Sequence, residues 1–170
     1  MNTTNVMAFA HFKVKRLIRM GAKLKYAFML KRELSSAHYM AQRQGLEFMT
    51  AELKAYAAIE KRVEREKSVV RKVVRNALNM GYSISLYDGE EWTIQRATTE
   101  KEVMSAIQTT DADTLRFRKI DDVGTPVGSV YFVYGNSASE VMNDWTDTEE
   151  VAAILAPALK LCDRLALIGQ

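Results

Sequence analysis

The sequence predicts an α+β fold: a helical N-terminal module with one long helix, then a small antiparallel sheet domain of order ββαββ(β)α. Three observations carry this. From Gly45 to Met80 apolar residues return at helical spacing and no proline intervenes. At Gly81 the period changes to two and turn signals begin. Charge divides at the same place: residues 1–80 carry 17 Lys and Arg against 6 Asp and Glu, a net of +11, whereas residues 81–170 carry 7 against 15, a net of −8. The expected organisation is a basic helical module over 1–80 and an acidic sheet domain over 81–170.

The elements follow in order. Thr3, Thr4 or Asn5 can cap a first helix running from about Asn5 to Met20, with Met7, Ala10, Val14, Leu17 and Ile18 on its inner face and Gly21 at its C-cap. A second helix runs from Ala22 into the forties, weakened at Ser35, Ser36 and Gly45. The long helix comes next, about 50 Å at 1.5 Å per residue. At about 100° per residue, Met49, Tyr56, Ile59, Val63, Val70, Val73, Val74 and Ala77 share one side, and Lys54, Lys61, Arg65 and Lys72 line the other. Glu66 and Lys67 interrupt the apolar stripe midway. Beyond Gly81, Tyr82–Tyr87 alternates, Asp88-Gly89 is a hairpin signal, and Trp92–Arg96 returns as the partner strand. Thr99-x-x-Glu102 is a capping box for a short helix to about Thr109. Strands follow over Thr114–Ile120 and Val127–Tyr134, with a turn at Asp121-Asp122-Val123-Gly124 and a short fifth strand around Val141–Trp145. Asp147-x-x-Glu150 opens a terminal apolar helix that Pro157 should kink or restart.

Composition excludes several classes. No apolar run approaches the ~20 residues of a membrane span, and Val6–Ala10, followed closely by Lys13 and Lys15, is too short for a signal-peptide core. The single cysteine, Cys162, excludes an internal disulfide and fits a reducing compartment, so the cytoplasm is the expected location.

The segment Gly81–Trp92, with Asp113–Arg116 and Val133–Asn136, resembles small accessory proteins encoded by temperate tailed bacteriophages and prophages. Ala10-His11, Lys25–Phe28 and Ala37-His38 are similar to helical leader segments of other phage-encoded accessory proteins. The resemblance implies an accessory role in the cytoplasm of an infected host cell and carries over no catalytic residue.

No nucleophile elbow, phosphate-cradling glycine loop, paired histidines or cysteine pair is present, so no catalytic residue, metal ligand or cofactor is assigned. His11 and His38 sit beside alanines in helices and read as structural or surface residues. Asp88, Glu90, Glu91, Asp111, Asp113, Asp121 and Asp122 lie at predicted turns, which need such residues for their own sake, although converging carboxylates could also hold Mg²⁺. Trp92 and Trp145 read as packing residues of the sheet, and Cys162 as a buried thiol. The basic surface is the functional signal: Lys54, Lys61, Arg65 and Lys72 on the long helix, with Lys13, Arg16, Arg19 and Lys23 on the first two. Cations so spaced neutralise phosphates without reading sequence, although a solvated helix face has the same pattern. Phe9 and Phe12 among them could stack on bases or enter a lipid interface. Glu60, Glu64, Lys67 and Arg71 flank the apolar stripe as in an oligomerising helix, so a homodimer or higher oligomer is expected, unless the first two helices fold back over the stripe. The expected function is therefore non-enzymatic, non-specific nucleic-acid binding by the basic half, without membrane contact. The alternative is engagement of a host defence or replication protein through the acidic half.

Overall fold

The structure is a computed structural model in which residues 3–19, 22–122 and 124–168 are described. It has the expected α+β architecture, with three N-terminal helices, a five-stranded antiparallel sheet and a C-terminal helix. The chain divides into two compact units, Met1–Glu60 and Lys61–Gln170.

In the first unit lies α1, Thr3–Arg19, and a helical run, Tyr26–Asn79, begins there and continues into the second. The run is broken once, at Gly45 (φ 81°, ψ 163°), a left-handed conformation that glycine adopts without steric cost. The pieces before and after Gly45 are α2 and α3. Ser35 lies inside α2 without breaking it, its hydroxyl donating to the Lys31 carbonyl at 3.2 Å. Before α2, residues 22–25 are not helical, so the helix begins at Tyr26 rather than Ala22. Thr3 and Asn5 lie within α1 instead of capping it, and the expected cap at Gly21 falls outside the described residues, as does Val123 of the later turn.

A small core joins the three helices through Val6, Phe9, Ala10, Ala37, Ala41 and Met49. The buried face of α1 thus runs from Val6 to Val14, leaving Met7 and Ile18 exposed where they were expected to turn inward. Phe9 is sealed in this core, and Phe12 stacks on Tyr56 with ring centroids 4.8 Å apart, so both serve packing rather than an outer surface. The start of α3 is covered at Met49 by the first two helices folding back, while Ile59 stays exposed.

The second unit takes in residues 61–79 of α3, then β1 (Tyr82–Tyr87), β2 (Trp92–Ala97), α4 (Glu100–Ala106), β3 (Ala112–Lys119), β4 (Gly128–Val133), β5 (Met142–Trp145) and α5 (Glu149–Ile168). The strands lie in the order β2-β1-β3-β4-β5 and every pairing is antiparallel. Ile84, Leu86, Leu115, Phe117, Val130 and Phe132 form the inner face and pack on Val69, Val70, Val73, Val74 and Ala77 of α3 and on α5. The period of two in the strands meets the helical period of α3, so each element contributes one apolar face to a single core. Gly128 permits the close approach of α5, since a Cβ there would stand 2.5 Å from Val151 Cγ2.

Local ends differ from expectation for identifiable reasons. Thr99 caps α4, its hydroxyl accepting from Glu102 N, but α4 stops at Ala106, and Gln108 takes a left-handed φ of 59°. Thr148, not Asp147, caps α5 by accepting from Val151 N at 3.3 Å. The inner row of β3 ends at Phe117, and Lys119 is exposed. Pro157 lies inside α5 without ending it.

Proline lacks the N–H that the Ala153 carbonyl would otherwise receive. That loss is made good from α3: the Asn76 Nδ2 donates to the carbonyls of Ala153 and Ile154, each at 2.9 Å. We expect Asn76→Ala to cost about 1–2 kcal/mol in urea unfolding. In a Pro157→Ala background the cost should shrink, since Ala153 would regain its helical donor.

Candidate nucleic-acid interface

The expected cations divide by surroundings. In the first unit Lys13 is drawn toward the buried Glu33, 3.8 Å away, and lies over the Phe9 ring. Arg19 pairs with Glu60 at 2.7 Å, and the Arg16 guanidinium lies over Tyr56. Lys23 and Lys54 are exposed, Lys23 in the segment before α2 and Lys54 on α3. In the second unit Lys61 and Lys72 are exposed and Arg65 half-buried. Among the described residues none of Lys61, Arg65 and Lys72 forms an ion pair. Their neighbour Arg71, expected to flank an oligomer seam, instead meets Glu100 at 3.3 Å together with Arg75 at 2.6 Å.

The open face of the sheet carries a second set of groups that sequence reasoning passed over. Alternation that buries Leu86, Leu115 and Phe132 turns Tyr87, Thr114 and Tyr131 outward. Cross-strand pairing sets Trp92, Tyr87, Thr114, Tyr131 and Asp144 in one row across the sheet. Beside it Ser85, Arg116 and Ser129 form a second row, and Arg118 opposite Ser83 a third. Trp92 therefore does not pack in the core: the Arg116 guanidinium lies 4.1 Å from its ring centroid and Tyr87 lies 5.3 Å away. Trp145 is 40% exposed. A cavity of about 160 Å³ opens here, lined by Ser85, Trp92, Gln95, Arg96, Arg116 and Arg118.

An irregularity in the β1–β2 pairing shapes this cavity. Arg96 adopts φ 56°, and its N–H donates to Ser85 Oγ at 3.0 Å. The bulge re-aims its guanidinium, which donates to the carbonyls of Ile120 and Asp122, each at 3.1 Å. Arg96 thus ties an edge strand to the β3–β4 turn, whereas Arg116 and Arg118 line the cavity and form no ion pair among the described residues. The Nε of Arg118 is shut off from water and has no acceptor.

The acidic residues serve turns or the interior. Asp88 Oδ1 accepts from Glu91 N and Glu90 N at the β1–β2 hairpin, and these bonds hold its carboxyl below the usual range. Asp122 Oδ1 accepts from Gly124 N at 2.7 Å. Among the described residues no three His, Cys, Asp or Glu side chains come together as a metal-binding group. His11 Nδ1 lies 2.6 Å from the Tyr26 hydroxyl, and His38 is exposed. Cys162 is buried, and burial pushes its thiol up to about 11.

Glu66, which interrupts the apolar stripe, is 1% exposed. Its carboxyl accepts from Gly135 N at 3.0 Å and from Gln108 Nε2 at 3.2 Å, with Arg62 Nε 3.7 Å away. Gln108 also donates its backbone N–H to Asp113 Oδ2 at 2.8 Å, and the Tyr134 hydroxyl donates to the same oxygen at 2.8 Å. Burial raises the Asp113 carboxyl above its ordinary range, and raises the Tyr134 phenol as well, so that Tyr134 remains a donor. The network fastens α3 to the α4–β3 and β4–β5 connections. A lone carboxylate in an apolar helical stripe was the signal available in the sequence.

These features define an α+β protein whose antiparallel sheet is covered by helices on one face and lined with arginine and aromatic side chains on the other. No protein-family model, curated protein or solved structure matches the chain. No helix among the described residues is long and apolar enough to cross a membrane.

Because the folded state raises the Asp113 carboxyl, folding opposes its ionisation, and that penalty is present in full above the raised value. It is relieved as pH falls toward the ordinary carboxylate range of about 4. Asp113→Asn should therefore exceed the wild type in stability most at neutral pH, with the difference narrowing on acidification. Glu66→Ala, which strands the Gly135 and Gln108 donors, should lower stability by about 3 kcal/mol. Denaturant titrations across pH measure both.

Proposed function

We propose that the protein is a non-enzymatic nucleic-acid-binding protein. Consistent with its resemblance to temperate-phage accessory proteins, it acts in the cytoplasm of an infected bacterium. The observation that carries this is the state of Lys61, Arg65 and Lys72: they follow one side of α3, remain at the surface, and pair with no carboxylate among the described residues. Lys54, Arg16 and Lys23 add cations of the same kind in the first unit. Such groups neutralise backbone phosphates, release counterions and give affinity without base readout. The buried carboxylates Glu66 and Asp113 are engaged by protein donors, which gives them a structural use.

Association of copies is part of the proposal. The first unit leaves Leu24, Phe28, Tyr39 and Phe48 exposed, large apolar side chains outside its small core. Light scattering across a dilution series should show an oligomer, and a strict monomer would remove this part.

A salt series tests the binding. Lys61→Glu with Arg65→Glu and Lys72→Glu should weaken binding about 10-fold or more at low salt and make the log–log salt slope shallower by about 2–3. Absence of wild-type affinity for any DNA or RNA at low salt would overturn the proposal. The host-protein reading, contact through the acidic half, would then take its place.

A further inference from the structure

We infer that the open face of the sheet is a binding platform for single-stranded nucleic acid, with backbone phosphates on Arg116 and Arg118 and bases against Tyr131 and the Trp92–Tyr87 pair. The inference rests on the nucleic-acid reading above and names the form of nucleic acid and a second surface for it. Arg116 and Arg118 are alternate residues of the central strand β3, so they stand about 6.7 Å apart along it. Successive phosphates of an extended strand can match that spacing. Both arginines line the cavity, no carboxylate lines it with them, and among the described residues neither forms an ion pair. An anion is the complement to such a site, and the planar fork of arginine suits phosphate oxygens.

The neighbouring row supplies what bases need. Tyr131 is 39% exposed on β4, and Trp92 and Tyr87 stand on β2 and β1 of the same face. Unpaired bases stack on aromatic rings irrespective of sequence, whereas bases in a duplex are already stacked. Shape points the same way. With strands about 4.8 Å apart, the five-stranded sheet is about 19 Å wide, too wide for a major groove of about 12 Å. The second half is acidic overall, but Asp88, Glu90, Glu91, Asp121 and Asp122 occupy turns, and Asp144 closes only the far end of the aromatic row.

The test uses the full chain and fluorescence anisotropy with a labelled oligo-dT strand, a duplex of equal length, and polyphosphate as a charge-only competitor. Arg116→Ala with Arg118→Ala, and separately Tyr131→Ala, should each weaken oligo-dT binding about 10-fold while leaving duplex binding within about 2-fold. Tyr131→Phe should restore oligo-dT binding, because it keeps the ring and guards against a folding artefact. The inference is overturned if these variants bind oligo-dT like the wild type, if Tyr131→Phe fails as Tyr131→Ala does, or if polyphosphate competes as well as oligo-dT at equal charge. Should the sheet variants be silent while reversal of Lys61, Arg65 and Lys72 abolishes binding, only the sheet platform is lost. Should the wild type bind neither strand form, both readings fail together.

Discussion

The structure of the second unit depends on the apolar contact between the last turns of α3 and one face of the sheet. Val69, Val70, Val73, Val74 and Ala77 are fully buried, and they meet strands whose inward residues are also buried. A strand with one covered face has no freedom about its other residues: each neighbour of an inward side chain points outward. Burial of Leu115 and Phe117 therefore delivers Thr114, Arg116 and Arg118 to the open face, and burial of Val130 and Phe132 delivers Tyr131. The chemistry of the open face is thus a consequence of core packing, and a one-residue slip in β3 would exchange the arginines for Leu115 and Phe117.

Polar groups fix the geometry that the apolar contact leaves free. Hydrophobic burial is non-directional and would tolerate sliding of α3 along the sheet. Glu66 removes that freedom, because its two oxygens must meet Gln108 Nε2 and Gly135 N on separate connections. Asn76 does the same toward α5, at the Ala153 carbonyl that Pro157 leaves without its helical donor and at the neighbouring Ile154 carbonyl. The strained φ of 59° at Gln108 is held because the residue bonds at both its backbone and its side chain.

Much of this was legible in the residues. The period change at Gly81, the Asp88-Gly89 turn and the Thr99 cap are local signals, and the elements they mark appear where expected. The break at Gly45 was also readable, since a glycine inside a helical pattern is a weak point. Less legible were features set by tertiary contact. Trp92 reads as a core residue from its type, yet the β1–β2 irregularity and the strand parity put it under Arg116. Phe9 and Phe12 sit among lysines and arginines in sequence, but one is buried and the other rests on Tyr56. The role of Glu66 needed partners 42 and 69 residues away, which no local pattern contains. The open-face arginines were obscured because the net charge of the second half averages them with the acids of the turns.

The two proposed surfaces share one physical basis, cations left without carboxylate partners in a chain that has the acids to pair them. The most direct measurement is backbone and indole NMR of the labelled protein titrated with oligo-dT. The account predicts shifts concentrated at Arg116, Arg118, Tyr131 and the Trp92 indole, with a second set at Lys61, Arg65 and Lys72. Saturating oligo-dT that leaves both sets unmoved would contradict it.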